Sequence, residues 1–116
     1  MIDGLFVLDA VTHAYNQLPE NWEDPSLGLA MVELAYNLAA DPPDPRYAMT
    51  REQYLIDWRV DDMASLIFRE SDTDVAVYHP LAISSFKDGY SSLAKAREAL
   101  DLYPTALLAA MPASIR

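Results

Sequence analysis

Two histidines follow apolar segments of the sequence, and imidazole is well suited to metal binding or proton transfer near neutral pH. His13 comes after the run LFVLDAV, and His79 ends the run VAVYH, which Pro80 closes. If both runs are neighbouring parallel strands, the two imidazoles lie beyond the same edge of the sheet and can approach one another. The sequence therefore predicts a metal or proton-transfer site there, or two histidines that only form hydrogen bonds in loops.

Other side chains near these segments could line a pocket. Tyr15 and Trp22 lie in the polar loop after the first apolar run, although aromatic residues serve first of all in packing. Asp9 lies inside that run, and a buried carboxylate requires a partner. The alternative for Asp9 is a strand-end residue whose carboxylate accepts hydrogen bonds from loop backbone amides.

The charge balance excludes several classes of function. Eighteen acidic residues against eight basic ones give a formal charge of −10, with no basic cluster, so nucleic acids and anionic membranes are not expected partners. An anionic substrate would need a few placed cations, such as Arg51, Arg59 or Lys87. The chain has no cysteine, which excludes a thiolate nucleophile and Cys-type zinc sites. Its three glycines form no phosphate-binding loop and no nucleophile elbow.

The segments around these residues predict the elements that would position them. Short apolar runs at 5–11, 75–81 and 105–111 each predict a strand, and the first has the composition of a strand buried on both faces. Asp24-Pro25 is typical of a helix start. The helix that it opens has four apolar residues on one face, namely Leu27, Met31, Leu34 and Leu38.

Two further helices are predicted. Thr50 and Gln53 have capping-box spacing and begin a helix that continues to about residue 70. Four residues of that segment form one stripe that we expect to face the sheet, namely Ile56, Val60, Met63 and Ile67. Ser91 or Ser92 caps the last helix, which ends at Pro104.

The element order indicates an α/β fold, with a parallel sheet and helical crossovers, formed by residues 1–116 as a single unit. A parallel sheet is normally covered on both faces and blunted at its edges. The last apolar strand would need cover from elsewhere, so we expect a homo-oligomer or a larger complex. Short apolar runs and no basic leader segment make a cytoplasmic protein without a membrane span the expectation.

Three stretches of the chain resemble the opening third of the amidohydrolase-related family of metal-dependent hydrolases and decarboxylases. These stretches are Asp9-x-x-x-His13 at the end of the first strand, FRESDTDVAVYHPL at 68–81 and LDLYPTALLAA at 100–110. The resemblance implies the first third of a TIM-type (β/α)₈ barrel. A complete barrel needs roughly 250 residues, so we expect the isolated chain to be a partial enzyme without activity of its own.

The resemblance also implies a divalent metal and a small-molecule substrate. The family uses a His-x-His pair as ligands for zinc or a similar ion, and its two positions are Val11 and His13 here. An alkyl side chain cannot coordinate, so His13 is the implied ligand and further ligands would come from elsewhere. Residues implied as substrate contacts are Tyr15, Trp22, His79 and Lys87.

The chemistry that the resemblance implies is hydrolysis of an amide, ester or lactone, or decarboxylation of an aromatic acid. Two other functions fit the same residues. A non-catalytic α/β module that acts through oligomerisation or partner binding would instead explain the loss of the first ligand histidine at Val11. A small enzyme with His13 and His79 as acid and base is the third possibility.

Overall fold

The strands and helices occupy most of the chain in the computed structural model, which describes residues 1–39 and 41–109. Three strands are present in this part of the chain, namely β1 (Leu8–Thr12), β2 (Val75–Tyr78) and β3 (Leu107–Ala109). Four α-helices accompany them, namely α1 (Pro25–Ala39), α2 (Arg51–Tyr54), α3 (Val60–Phe68) and α4 (Leu93–Leu102). Short 3-10 helices lie at Pro19–Asn21 and Pro45–Tyr47.

The three strands form one parallel sheet in the order β1-β2-β3. Leu8 pairs with Val75, and Ala76 pairs in turn with Leu107. The register of β1 against β2 shifts between Asp9 and Thr12. The predicted α/β fold with a parallel sheet and helical crossovers is therefore confirmed for the described residues.

One face of this sheet is covered by α3 and α4. The alanines of α4 allow a close approach of helix and sheet, because a methyl group leaves little space to fill. Eight buried residues form this core, namely Ala14, Val60, Met63, Ala76, Tyr78, Ala96, Ala99 and Leu107. The core therefore lies between the sheet and the two helices that immediately precede β2 and β3.

The opposite face of the sheet, called the bare face here, carries apolar side chains without helical cover in the described part of the chain. Leu8 and Leu108 are 53% and 46% exposed, while Val75 and Val77 are half-buried. The prediction that β1 is buried on both faces is therefore wrong. The physical reason is that α3 and α4 pack on the same face.

Helix α1 is oriented differently from what its apolar pattern indicates. An apolar helix face normally packs on the core. Of the four predicted residues, Met31 packs against a core cluster, whereas Leu27, Leu34 and Leu38 are exposed, Leu38 by 82%. The residues of α1 that are buried are Gly28 and Val32. A Cβ atom at Gly28 would overlap the indole ring of Trp22, so this contact turns the leucines outward.

The predicted helix from Thr50 to about residue 70 is two helices. The capping box of Thr50 and Gln53 is present at the start of α2, and the helix ends at Tyr54. The interruption allows backbone contacts with the loop after β1, because Trp58 N donates to Tyr15 O at 2.8 Å and Gln17 N donates to Ile56 O at 3.0 Å. Val60 and Met63 are buried as predicted, and Ile67 packs against the core, whereas Ile56 lies between the helices.

The last predicted strand is shorter than its apolar run. β3 covers Leu107–Ala109 of the predicted 105–111, and positions 110–111 lie outside the described residues. Leu107 is completely buried under α4 while Leu108 lies on the bare face. None of the described helices is long and apolar enough to cross a membrane.

The packing of α3 predicts that alanine substitution of two large apolar residues on this helix lowers the free energy of unfolding by different amounts. Met63 is 5% exposed and Leu66 is 43% exposed. We expect Met63→Ala to lower the free energy of unfolding by about 2–5 kcal/mol, as large-to-small core changes do. Leu66→Ala should cost less than about 1 kcal/mol. Urea denaturation of both variants measures this, and a larger loss for Leu66→Ala would contradict the described orientation of α3.

Candidate functional site

The two histidines meet beyond the carboxyl ends of β1 and β2. These strands are parallel neighbours, so His13 and His79 follow them at the same edge of the sheet. Their ring centroids are 6.3 Å apart, with an interplanar angle of 64°. The approach of the two imidazoles predicted from their positions is therefore present in the fold.

Backbone carbonyl groups fix both imidazole rings. His13 Nδ1 lies 2.7 Å from His79 O, and His79 Nε2 lies 2.9 Å from Ala10 O. A carbonyl oxygen only accepts, so the nitrogen facing it carries the proton in each ring. In the neutral rings, His13 Nε2 and His79 Nδ1 therefore hold the lone pair. Both histidines form the backbone hydrogen bonds of ordinary loop residues and still keep one nitrogen for chemistry.

An aromatic ring lies against His13. The ring of Tyr15 stacks on the imidazole at 5.5 Å between centroids and 29° between planes. Tyr15 also contacts Tyr90 at 4.5 Å between ring centroids. Burial raises the pKa of the Tyr15 phenol, so this group is neutral at physiological pH.

A cavity of about 330 Å³ opens beside His13 and Tyr15. Its walls come from β1, the loop after β1, α2 and α3, and include Asp9, Tyr54 and Trp58. Asp9 Oδ1 accepts a hydrogen bond from Val11 N at 3.2 Å. This is the backbone role considered for Asp9 from the sequence, and Asp9 is at the same time one of the residues that line the cavity.

Lys95 positions the loop that carries the site. Its ammonium group donates to Ala14 O at 3.2 Å and to the Asp57 carboxylate and the Trp58 carbonyl. Its side chain is only 15% exposed. Sequence reasoning missed this residue because its partners are distant in the chain. The available signal was a lysine beside the alanine-rich face of α4, where a charged group needs partners.

Trp22 and Lys87 lie away from the cavity beside His13 in the part of the chain that the structure describes. The Trp22 indole N–H donates to Gln17 O at 3.2 Å, and its ring packs against Gly28 in a second core cluster. Lys87 lies in a separate hollow next to Asp88, and its backbone N–H donates to Asn21 O at 2.7 Å. Of the residues implied as substrate contacts, Tyr15 and His79 are the two that lie next to His13.

The donor set beside His13 does not by itself form a complete metal site. Within residues 1–39 and 41–109, no three His, Asp or Glu side chains come together as potential ligands. A catalytic zinc ion normally takes three protein ligands, and the Val11 side chain offers none. His13 Nε2 can serve as one ligand, so any resident metal ion would require the remaining ligands from outside the described residues.

Comparison with protein-family models, with curated proteins and with solved structures finds no match to this chain. The resemblance to the amidohydrolase-related family therefore stays a prediction from the sequence. What the site can do has to be argued from its own geometry.

Two buried tyrosine hydroxyls form hydrogen bonds near the site. The Gln17 side-chain amide donates to the Tyr90 hydroxyl, and the Tyr78 hydroxyl bonds with the Ser91 hydroxyl. Gln17, Tyr78, Tyr90 and Ser91 are all buried. Burial raises the pKa of Tyr90 to about 12, against the opposing effect of the Gln17 hydrogen bond.

The raised pKa of Tyr90 predicts a loss of stability at high pH. Between the unfolded value of 10.0 and the folded value of about 12, the unfolded chain releases a proton that the folded chain retains. The contribution of Tyr90 to the free energy of unfolding is therefore fully present below pH 10. It falls as the pH rises through this window, by at most about 2–3 kcal/mol. Urea unfolding from about pH 9 to about pH 12 should show a shallower decline in Tyr90→Phe.

Tyr47→Phe is the control for this experiment, because Tyr47 is exposed. This variant should keep the decline of the parent chain. The same decline in Tyr90→Phe and in the parent would contradict the role assigned to the buried phenol.

Proposed function

We propose that this chain provides the opening β/α units of a barrel-type, metal-dependent hydrolase or decarboxylase similar to the amidohydrolase-related enzymes. The observation that carries this proposal is the position of His13, which follows β1 at the carboxyl edge of a sheet with helices on one face. The substrate would be a small molecule, and the reaction hydrolysis of an amide, ester or lactone, or loss of carbon dioxide from an aromatic acid. The reaction class comes from the sequence resemblance.

The topology supports a barrel over a doubly wound sheet. A doubly wound sheet reverses its strand order and places helices on both faces. Here the strands run in sequential order and α3 and α4 pack on one face. In a (β/α)₈ barrel the helices form the outer ring, and the opposite side of the sheet faces the apolar barrel interior. The exposed Leu8 and Leu108 of the bare face correspond to such an interior surface.

The hydrogen bonding of His13 supports a ligand role. Histidines that bind metals usually donate the N–H of the other nitrogen to a carboxylate or a backbone carbonyl, which fixes the tautomer and the orientation of the ring. His13 Nδ1 has such a partner in His79 O. This leaves Nε2 as the ligand atom, with Tyr15 and His79 positioned as the neighbouring substrate contacts.

Zinc binding by the isolated chain tests the role of His13. With one ligand supplied by the described residues, we expect weak zinc binding that a chelator removes easily. His13→Ala should abolish it. His79→Ala should retain it, because the backbone carbonyl that orients His13 remains in that variant. Equilibrium dialysis followed by elemental analysis measures all three chains, and equal zinc binding by the parent and His13→Ala would contradict the proposal.

A non-catalytic module that acts through protein association is the second candidate. The bare face favours it, since large contiguous apolar patches on soluble proteins mark interaction sites. The outward leucines of α1 add further apolar surface. Both candidate functions need a partner for the bare face, whereas zinc binding through His13 is expected for the first alone.

The bare face predicts self-association of the chain. We expect a mass above 13.0 kDa in size-exclusion chromatography with light scattering, increasing with concentration. Leu8→Thr combined with Leu108→Thr should shift the equilibrium towards monomer, since threonine keeps the strand preference and removes apolar area.

The matched control is Leu29→Thr combined with Leu102→Thr. These two helix residues are 48% and 49% exposed, similar to the pair on the bare face, and lie outside the sheet. A concentration-independent monomer of the parent chain, or an equal shift in both double variants, would contradict association through the bare face.

A further inference from the structure

The cavity beside His13 has a chemical character that indicates its ligand. Its volume of about 330 Å³ is at the small end of the range of roughly 300–1,000 Å³ for ligand pockets. Rings of Tyr15, Tyr54 and Trp58 contribute to its walls. The space therefore suits a molecule with a compact apolar part, such as one aromatic ring.

The electrostatic character of the cavity is negative. Among the described residues that line it, Asp9 carries the one formal charge, and none is a lysine or arginine. Lys95, the cation that holds Trp58, has its ammonium group bound to the Asp57 carboxylate and two backbone carbonyls. The net charge of −10 adds a negative field. An anionic ligand would meet no counter-charge in these walls.

The guanidinium group of Arg51 is also occupied. Arg51, on the same short helix as Tyr54, forms an ion pair with Glu33 and lies over the ring of Tyr36 at 4.7 Å from its centroid. Its charge is therefore neutralised away from the cavity. Aromatic faces and a carboxylate together are the groups that recognise organic cations.

We propose that this cavity binds a small organic amine, with its ammonium group against Asp9 and its apolar part among Tyr15, Tyr54 and Trp58. The amine class deepens the proposed function and rests on it in one respect, because it takes the cavity beside His13 as the substrate site. It narrows the substrate towards an amine-bearing amide or ester and away from an aromatic acid. Binding of the amine itself requires neither a metal ion nor a complete barrel.

Three probes of nearly equal shape and different charge test this ligand class, namely benzylamine, benzyl alcohol and benzoate. Titrations of the full chain by NMR at about pH 8, where an ordinary imidazole is neutral, give dissociation constants and locate the site. We expect benzylamine to bind about fivefold more tightly than benzyl alcohol and benzoate to bind most weakly. The largest amide shifts should include His13, Tyr15 and Trp58.

Asp9→Asn isolates the contribution of the carboxylate. The asparagine keeps an oxygen that accepts from Val11 N, so the strand end retains its hydrogen bond. This variant should bind benzylamine about fivefold more weakly and benzyl alcohol as the parent does. Asp101→Asn, which removes an exposed charge on α4, should leave both constants unchanged.

Each remaining outcome contradicts one specific statement. Benzoate binding as tightly as benzylamine, shifts confined to other residues, or equal losses in Asp9→Asn and Asp101→Asn would overturn the amine class. The NMR shifts of the parent chain with the three probes test the amine class even if Asp9→Asn does not fold. Amine binding without His13-dependent zinc binding would contradict the proposed function alone, whereas His13-dependent zinc binding with a preference for benzoate would contradict the amine class alone.

Discussion

Burial of one sheet face under α3 and α4 is the constraint on which the other features of this fold depend. Helix α4 approaches the sheet closely because its Ala96 and Ala99 pack in one buried cluster with Ala76 and Leu107. With both helices on this side, the apolar residues of the opposite side have no helical cover within the described part of the chain. The parallel pairing of β1 with β2 brings His13 and His79 to a common edge of the sheet.

The loop after β1 is held by backbone hydrogen bonds and by one buried cation. Asn16 N donates to Tyr90 O and Gln17 N to Ile56 O, and Lys95 connects Ala14 to Trp58. Buried polar groups require such partners, and a fully partnered network gives a defined geometry. His13 and Tyr15 therefore occupy fixed positions although they lie outside a regular element.

Local signals in the sequence predicted the elements well. The apolar run before Pro80, the capping box at Thr50 and the cap at Ser92 have local causes, and all three are present. The edge position of His13 and His79 followed from strand order alone. The end of α2 at Tyr54, the outward leucines of α1 and the separation of Trp22 and Lys87 from His13 depend on contacts between distant residues. Periodicity within one segment carries no information about such contacts.

Gly28 makes the orientation of α1 depend on a single absent side chain. Glycine costs a helix interior about 1 kcal/mol relative to alanine, and here the space without a Cβ is filled by the Trp22 ring. A replacement with higher helix propensity at this position would stabilise the isolated helix, but its side chain would displace α1 from the Trp22 ring. The helix would then have to roll or lift, and the leucines now directed to solvent would point elsewhere. A change of one methyl group at Gly28 can therefore reorient the whole of α1, whose 15 residues span more than 20 Å at about 1.5 Å per residue.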